Sequence, residues 1–341
     1  MGRFAPSSLV RPLFVIAVVC AMACGTLLDQ APDDPTPAPD AATTDATPED
    51  GGSDGAVRAP GTAIVDIAAG NSSTCIVVAN GSVYCWGSNH RKQLGAATAP
   101  ETCAGARPCS RRPMRVDGIT DAKSVAVGDA WACVVHATGA VSCWGSNAQL
   151  QLGHGGSDEM CDGVSCNATP VLVTGLPDRA VQVAVGGSEE QGVTCARLQS
   201  GAVYCWGSND VGQLGAGLST AETSVAPVEV EGISTARFIT AAPQGGNLGV
   251  CAVLASNELS CWGSGKFWMI GRAPPGGCDC FPTAAKPTLA PDADIATIGI
   301  ADGTSVVARM NGSVFVYGFP GYALKPVGSM PEQVMSVSGL P

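Results

Sequence analysis

Charge is scarce in this 341-residue chain: Asp, Glu, Lys and Arg together make up 14% of it, and aromatic residues 5%. Long helices and coiled coils need a denser charged surface, so this supply argues against a helical body. Histidine is almost missing, with only His90, His136 and His154. Histidine-based catalysis and metal binding therefore have little to draw on. Positive excess is missing too, since 18 basic residues face 29 acidic ones and the formal net charge is −11. Phosphate binding needs clustered positive charge, which argues against a nucleic-acid partner. Long apolar runs are also absent, and the run Leu13–Ala23 is too short for a comfortable bilayer span.

What that run does fit is export. Arg3 and Arg11 supply a basic start, Leu13–Ala23 the apolar stretch, and residues 1–23 read as a secretory signal. The junction Ala21-Met22-Ala23-Cys24-Gly25 resembles a bacterial lipobox with Cys24 as the lipidated residue, and it also satisfies ordinary signal cleavage. The expected location is the cell envelope, by a lipid anchor, with plain secretion as the alternative. Of 16 cysteines, losing Cys20 with the signal and Cys24 to lipid leaves an even number. Residues 24–60 are rich in Pro, Asp, Ala and Thr, with eight acidic residues and one basic. Too little apolar surface is available there to offset ordering, so a disordered tether is expected.

The rest of the chain repeats itself. TCIVVANGSVYCWGSN at Thr74–Asn89 returns as ACVVHATGAVSCWGSN at Ala132–Asn147, TCARLQSGAVYCWGSN at Thr194–Asn209 and VCAVLASNELSCWGSG at Val250–Gly265. A degenerate copy, VVARMNGSVFVYG, runs from Val306 to Gly318. A period of roughly 57 residues signals an array whose units bury their apolar faces against one another. Alternating apolar residues precede each copy, as at Ser124-Val125-Ala126-Val127, and mark a half-buried strand. Asn80-Gly81, Thr138-Gly139, Ser200-Gly201, Asn257-Glu258 and Asn311-Gly312 then join two strands as hairpins. A fourth strand is expected at Pro113–Val116, Pro170–Val173 and Pro227–Val230. The expected fold class is all-β, a β-propeller of about five four-stranded blades at 61–120, 121–177, 178–234, 235–292 and 293–341.

Cys75 and Cys85, Cys133 and Cys143, Cys195 and Cys205, and Cys251 and Cys261 bracket the hairpins. With a three-residue turn each pair stands face to face, where a cross-strand disulfide fits. Val306 and Val316 replace both members together in the fifth copy. Buried free thiols are the alternative. Cys103 and Cys109, Cys161 and Cys166, and Cys278 and Cys280 lie in the loops that follow. Local disulfides are preferred there over cross-blade pairs, and no pair has the two-residue gap of a zinc knuckle, so no metal is expected.

The line T-C-x-x-x-x-x-G-x-V-x-C-W-G-S-N-x-x-x-Q-L-G, most complete at Thr194–Gly215, resembles the repeat of the regulator of chromosome condensation family, in particular its exported bacterial members. The resemblance covers Gly61 to Pro341 and implies a propeller, commonly of seven blades, where this chain supplies five. A closed ring and an open arc both remain open at this point. In a photoreceptor branch of the family, tryptophans stand just before the first cysteine; only Trp131 does so here.

Function is less legible than fold. The Gly-Ser-Asn and Gln-Leu-Gly steps recur in successive copies without the lysine of a phosphate loop, so turn geometry explains them better. No serine or cysteine nucleophile is placed beside a histidine and an acid in the sequence, so no catalytic residue and no cofactor is assigned. Insertions on one face of a repeat fold commonly bind, and the long loops after Gln-Leu-Gly make the expected rim. Arg111, Arg112, Trp131, Phe267, Trp268 and Phe281 are the partner-binding candidates. The leading expectation is a non-enzymatic, envelope-tethered propeller that binds a protein partner through this rim. The alternatives are a carbohydrate-binding or hydrolytic propeller and a purely structural envelope protein.

Overall fold

The computed structural model describes residues 63–155, 158–217, 223–242, 249–264, 280–285, 294–301, 304–318 and 332–334. They form five antiparallel sheets in chain order. The first contains β1 (Ile64–Ala69), β2 (Ser73–Val78), β3 (Val83–Ser88), β4 (Glu101–Cys103) and β5 (Arg107–Arg115), ordered β1-β2-β3-β5-β4. The second repeats that plan with β6 (Ala122–Val127), β7 (Trp131–His136), β8 (Val141–Ser146), β9 (Glu159–Cys161) and β10 (Val164–Leu172). Four strands make the third, β11 (Ala180–Gly186), β12 (Val193–Leu198), β13 (Val203–Gly207) and β14 (Ser224–Glu229). The fourth has β15 (Ala236–Ala241), β16 (Gly249–Leu254), β17 (Leu259–Ser264) and β18 (Cys280–Ala285). The fifth has β19 (Ile295–Ala301), β20 (Thr304–Arg309), β21 (Val314–Gly318) and β22 (Glu332–Val334). Apart from 3-10 turns at Ala104–Ala106 and Glu189–Gln191, the described residues contain no helix.

Two features of the blades differ from the sequence expectation of four strands each. In the first two, the outer strand starts well before its proline, at Arg107 and Val164, and a short fifth strand folds back on it. Each added hairpin lies outside the conserved four-strand unit, so the chain can extend there without disturbing the shared register. Each outer strand also bulges, so that Arg111-Arg112-Pro113 lies between the registered pairs Gly87↔Ser110 and Cys85↔Met114. Proline lacks the N–H a ladder needs, and a bulge at an edge is where it is tolerated.

The repeated hairpin turn has one construction. In the first blade Val78 N donates to Ser82 O at 3.0 Å and Gly81 N to Val78 O at 2.8 Å, closing a three-residue loop with Gly81 at φ 82°. The fourth blade places Asn257 at that position with φ 63°. Asparagine is among the side chains that tolerate the left-handed region best, which explains why the turn survives without glycine there.

The inner strands β1, β6, β11, β15 and β19 pack in succession, so each sheet stands beside the next. Side chains clamp this hub: Asp66 accepts Val125 N at 3.0 Å, and Gln182 both accepts Ile239 N at 3.0 Å and donates to Ile239 O at 2.8 Å. The apolar core lies between blades rather than within one. Val77, Val83, Leu94 and Val116 of the first blade pack with Ala132, Val134 and Trp144 of the second, and the third blade meets the fourth in the same way.

Candidate functional site

The motif residues that most invite a functional reading are used up at these joints. Asn89, Asn147 and Asn209 each accept a backbone hydrogen bond, from Leu94 N at 3.1 Å, Leu152 N at 3.0 Å and Leu214 N at 3.1 Å. Gln93, Gln151 and Gln213 accept the N–H groups of Arg91, Gln149 and Val211. The loop so tightened offers its glutamine carbonyl to the following blade. Trp144 Nε1 donates to Gln93 O at 3.0 Å, Trp206 Nε1 to Gln151 O at 2.9 Å, and Trp262 Nε1 to Gln213 O at 2.9 Å. Glycine completes the joint: a Cβ on Gly153 would lie 2.6 Å from Trp206 Nε1, and its φ is +69°. All three tryptophans are 0% exposed. Burying an indole demands a partner for its N–H, and the preceding blade supplies it.

Beyond the joints, the first two blades carry an added hairpin. Cys103 is joined to Cys109, and Cys161 to Cys166, so each hairpin is stapled across its base or turn. The second hairpin is also anchored beneath. Asp158 accepts from Asn147 Nδ2 at 2.6 Å, from Ser165 Oγ and from Asn167 Nδ2, and lies 2.8 Å from His154 Nε2. A carboxylate with four hydrogen-bonding partners holds the loop down rather than facing outward. Arg91 then ties three blades together, donating to Cys161 O at 2.7 Å, approaching Asp162 at 3.7 Å and pairing with Glu189, whose Oε1 also accepts from Ser146 Oγ. Beside it, burial first, then the Arg91 and Arg107 charges, hold the His90 imidazole below its ordinary value.

Across the inner hairpins the structure joins Cys75 to Cys85, Cys133 to Cys143, Cys195 to Cys205 and Cys251 to Cys261, all at a Cα separation of 4.1 Å. Val306 pairs with Val316 in the same register. Cys24, Phe267, Trp268 and Cys278, the expected partner of Cys280, lie outside the described residues, and of Cys280 and Phe281 only the backbone, in β18, is described. Arg111 and Arg112 are exposed on β5, where Arg111 pairs with Glu101 at 2.8 Å. Trp131 is corrected: it is 0% exposed, donates from Nε1 to Thr194 Oγ1 at 3.1 Å and fills the joint between the second and third blades. A residue sealed between two sheets offers nothing to a partner.

A second correction concerns chemistry. His136 Nδ1 donates to Asp121 Oδ1 at 2.6 Å while its Nε2 lies 2.9 Å from Ser142 Oγ, a juxtaposition of serine, histidine and acid that the sequence spacing did not suggest. Geometry gives it a structural role. Ser142 is 7% exposed near the start of β8, paired to Val134 on one side and Leu172 on the other. Nucleophilic attack needs an open approach and nearby unpaired oxyanion donors, and a serine inside a ladder has neither. The trio instead satisfies the polar groups of the blade seam. Among the described residues there is no group of three or more potential metal ligands, and no helix long and apolar enough to cross a membrane.

Blades of this register, locked by a tryptophan on the preceding Gln-Leu-Gly loop, match the regulator of chromosome condensation (RCC1) repeat at residues 80–135, 138–188 and 200–251, with a second model of the same repeat at 64–93 and 181–213. The chain belongs to the RCC1 repeat family. The E3 ubiquitin-protein ligase HERC2 of Homo sapiens is 31% identical over 205 residues, which cover 59% of this chain and 4% of HERC2. The chain thus corresponds to a small part of that relative. Human WBSCR16 superimposes with a TM-score of 0.64 at 18% identity, over 80% of this chain and 67% of the other. Prp20p of Saccharomyces cerevisiae does so with a TM-score of 0.60 at 20% identity, over 80% and 65%. These likenesses establish the RCC1-type propeller fold.

Proposed function

We propose that this chain is a non-enzymatic binding module of the cell envelope, held there through lipid on Cys24, that engages a protein partner with its loop rim. The observation that carries this reading is the pair of extra hairpins, β4–β5 and β9–β10. They extend beyond the four-strand blade, each has its own disulfide, and the second is held from beneath by Asp158 and from the side by Arg91 of the first blade. Rigid, exposed loops on a fixed scaffold are the usual way a repeat fold binds a macromolecule. Yeast Prp20p, of the same fold, is described with its binding to Gsp1p and histones, which supports a polypeptide as the class of partner. Nothing in the present site assigns chemistry to a substrate.

Capture from solubilised native envelope tests the reading. The full chain is expected to retain a reproducible protein, and Glu159→Lys with Asp162→Lys on the second hairpin is expected to reduce retention at least tenfold while leaving the fold intact. Retention of a glycan instead, or of the same protein by the rim variant, would overturn it. Intact mass of the mature chain tests the anchor: an N-terminal diacylglyceryl cysteine at position 24 is expected.

A further inference from the structure

The blade joints expose an imbalance. Three tryptophans each cap a Gln-Leu-Gly loop, and the sequence holds three such loops, at 93–95, 151–153 and 213–215, all of them engaged. Trp86 is the tryptophan left over. Its indole is half-buried rather than sealed, and Nε1 has no hydrogen-bond partner among the described residues. Contacts between sheets run from first to second and onward to the fifth; among the described residues no strand of the fifth packs on the first to that extent.

The face around Trp86 can be read row by row. Ile67, Ile76, Tyr84 and Arg115 are successive cross-strand partners, as are Ala69, Thr74 and Trp86. In the second blade the corresponding rows, Val125, Val134, Ser142 and Leu172, then Val127, Ala132 and Trp144, face the first blade, and all but the edge residue Leu172 are buried. In the first blade every one of those positions is half-buried or exposed. The bulge opposite the tryptophan differs as well. It reads Arg111-Arg112-Pro113 in the first blade, Ala168-Thr169-Pro170 in the second and Val225-Ala226-Pro227 in the third. Ser110 Oγ donates to Arg112 O at 2.6 Å and accepts from Arg112 N at 3.2 Å, fixing the bulge, and Arg112 and Arg115 make no ion pair among the described residues.

Two independent departures thus meet on one blade: an uncapped tryptophan and a fixed cationic bulge beside it. We propose that this face, Trp86 and Tyr84 at its centre with Arg112 and Arg115 at its edge, docks an acidic polypeptide segment that offers a backbone carbonyl to Trp86 Nε1 and carboxylates to the arginines. Charge complementarity selects the occupant. A desolvated Trp–Tyr centre with an arginine border is the composition of an interface hot spot, and the joints elsewhere in this molecule show that this indole is completed by a polypeptide carbonyl. A polyanion without apolar groups would use the arginines alone.

The inference rests on the polypeptide-binding reading above and shares β5 with that rim, but it is centred on the sheet face at Trp86 and Tyr84 and not on the hairpin turns, so separate variants test the two. The probe is a synthetic peptide of alternating glutamate and leucine, titrated into the full chain by calorimetry with heparin in parallel. The peptide is expected to bind saturably, with affinity at least tenfold weaker for Trp86→Ala and for Arg112→Glu with Arg115→Glu, and unchanged for Glu159→Lys with Asp162→Lys. Arg112 and Arg115 are exposed, so the charge variant folds even if removal of the indole disturbs the sheet. No saturable binding, binding that ignores both variants, or heparin binding with the same dependence on Trp86 would overturn the assignment. Loss of envelope capture in the rim variant with peptide binding intact would leave this face standing, and the converse would remove it alone.

Discussion

The first and third blades share a four-strand register and an inner disulfide, yet among the described residues the third is closed on both faces and the first on one. Trp206 in the third is sealed, with its N–H on Gln151 O and Gly153 against its ring, whereas Trp86 in the first is half-buried with no such cap among the described residues. The difference teaches that the repeat motif is a joint and not a site. Its glycines, glutamine and tryptophan matter in pairs drawn from consecutive blades, so a copy without a Gln-Leu-Gly loop against it among the described residues keeps its tryptophan but not the partner.

Breaking the joint should give the largest contrast. Trp206→Ala is expected to lower unfolding free energy by about 3–5 kcal/mol, as for other fully buried aromatic truncations, and Trp86→Ala by less than about 1 kcal/mol. Denaturant unfolding measures both, and equal losses would erase the distinction between the two blades. The disulfides sharpen it next. Replacing Cys195 and Cys205 by valine, as the fifth blade does naturally at Val306 and Val316, is expected to cost on the order of 3 kcal/mol on the chain-entropy estimate. The reciprocal pair Val306→Cys with Val316→Cys should form a bridge, seen in non-reduced peptide maps, because the two positions are directly opposed. Iodoacetamide labelling of Cys195 or Cys205 without reduction would contradict the assignment.

A smaller effect is expected at Gly153→Ala, where the new methyl would meet Trp206 at 2.6 Å in a left-handed conformation. Overpacking of about 1–3 kcal/mol should add to the left-handed strain, so Gly153→Ala should cost that much more than Gly118→Ala, which shares the strain at φ +80° but whose Cβ would meet nothing within 4 Å. The smallest is a pH effect at the seam of the first two blades. The hydrogen bond from His136 is the main cause holding the Asp121 carboxyl below its ordinary 3.8. A depressed acid stabilises the fold above that value and loses its contribution as pH falls through and below it. Asp121→Asn should therefore flatten the acid limb of a thermal unfolding profile below about pH 4, by lowering the neutral plateau while leaving stability at acid pH, where Asp121 is itself protonated, nearly unchanged.

Much of this could be read from the residues. The ten-residue cysteine spacing, the turn dipeptides and the alternating inner strands specify hairpins locally, and the observed registers put Cys75 opposite Cys85 and Val306 opposite Val316. The outer strands were harder, because β4 and β9 are three residues long and carry no alternation to detect. Trp131 was misjudged for a related reason: an aromatic in a hairpin has the same pattern whether its face meets solvent or another blade. The trio Asp121, His136 and Ser142 left no sequence signal, since a loop residue and the ends of two strands are brought together only when β6, β7 and β8 pair in one sheet.

By itself, then, the sequence determined what depends on neighbours along the chain: strand, turn, disulfide spacing and the number of repeats, all set by backbone preference and side-chain alternation. Only the tertiary structure decided which repeated residues are consumed. Each blade's tryptophan needs a carbonyl that belongs to the blade before it, and such a partnership is invisible until the sheets are placed side by side.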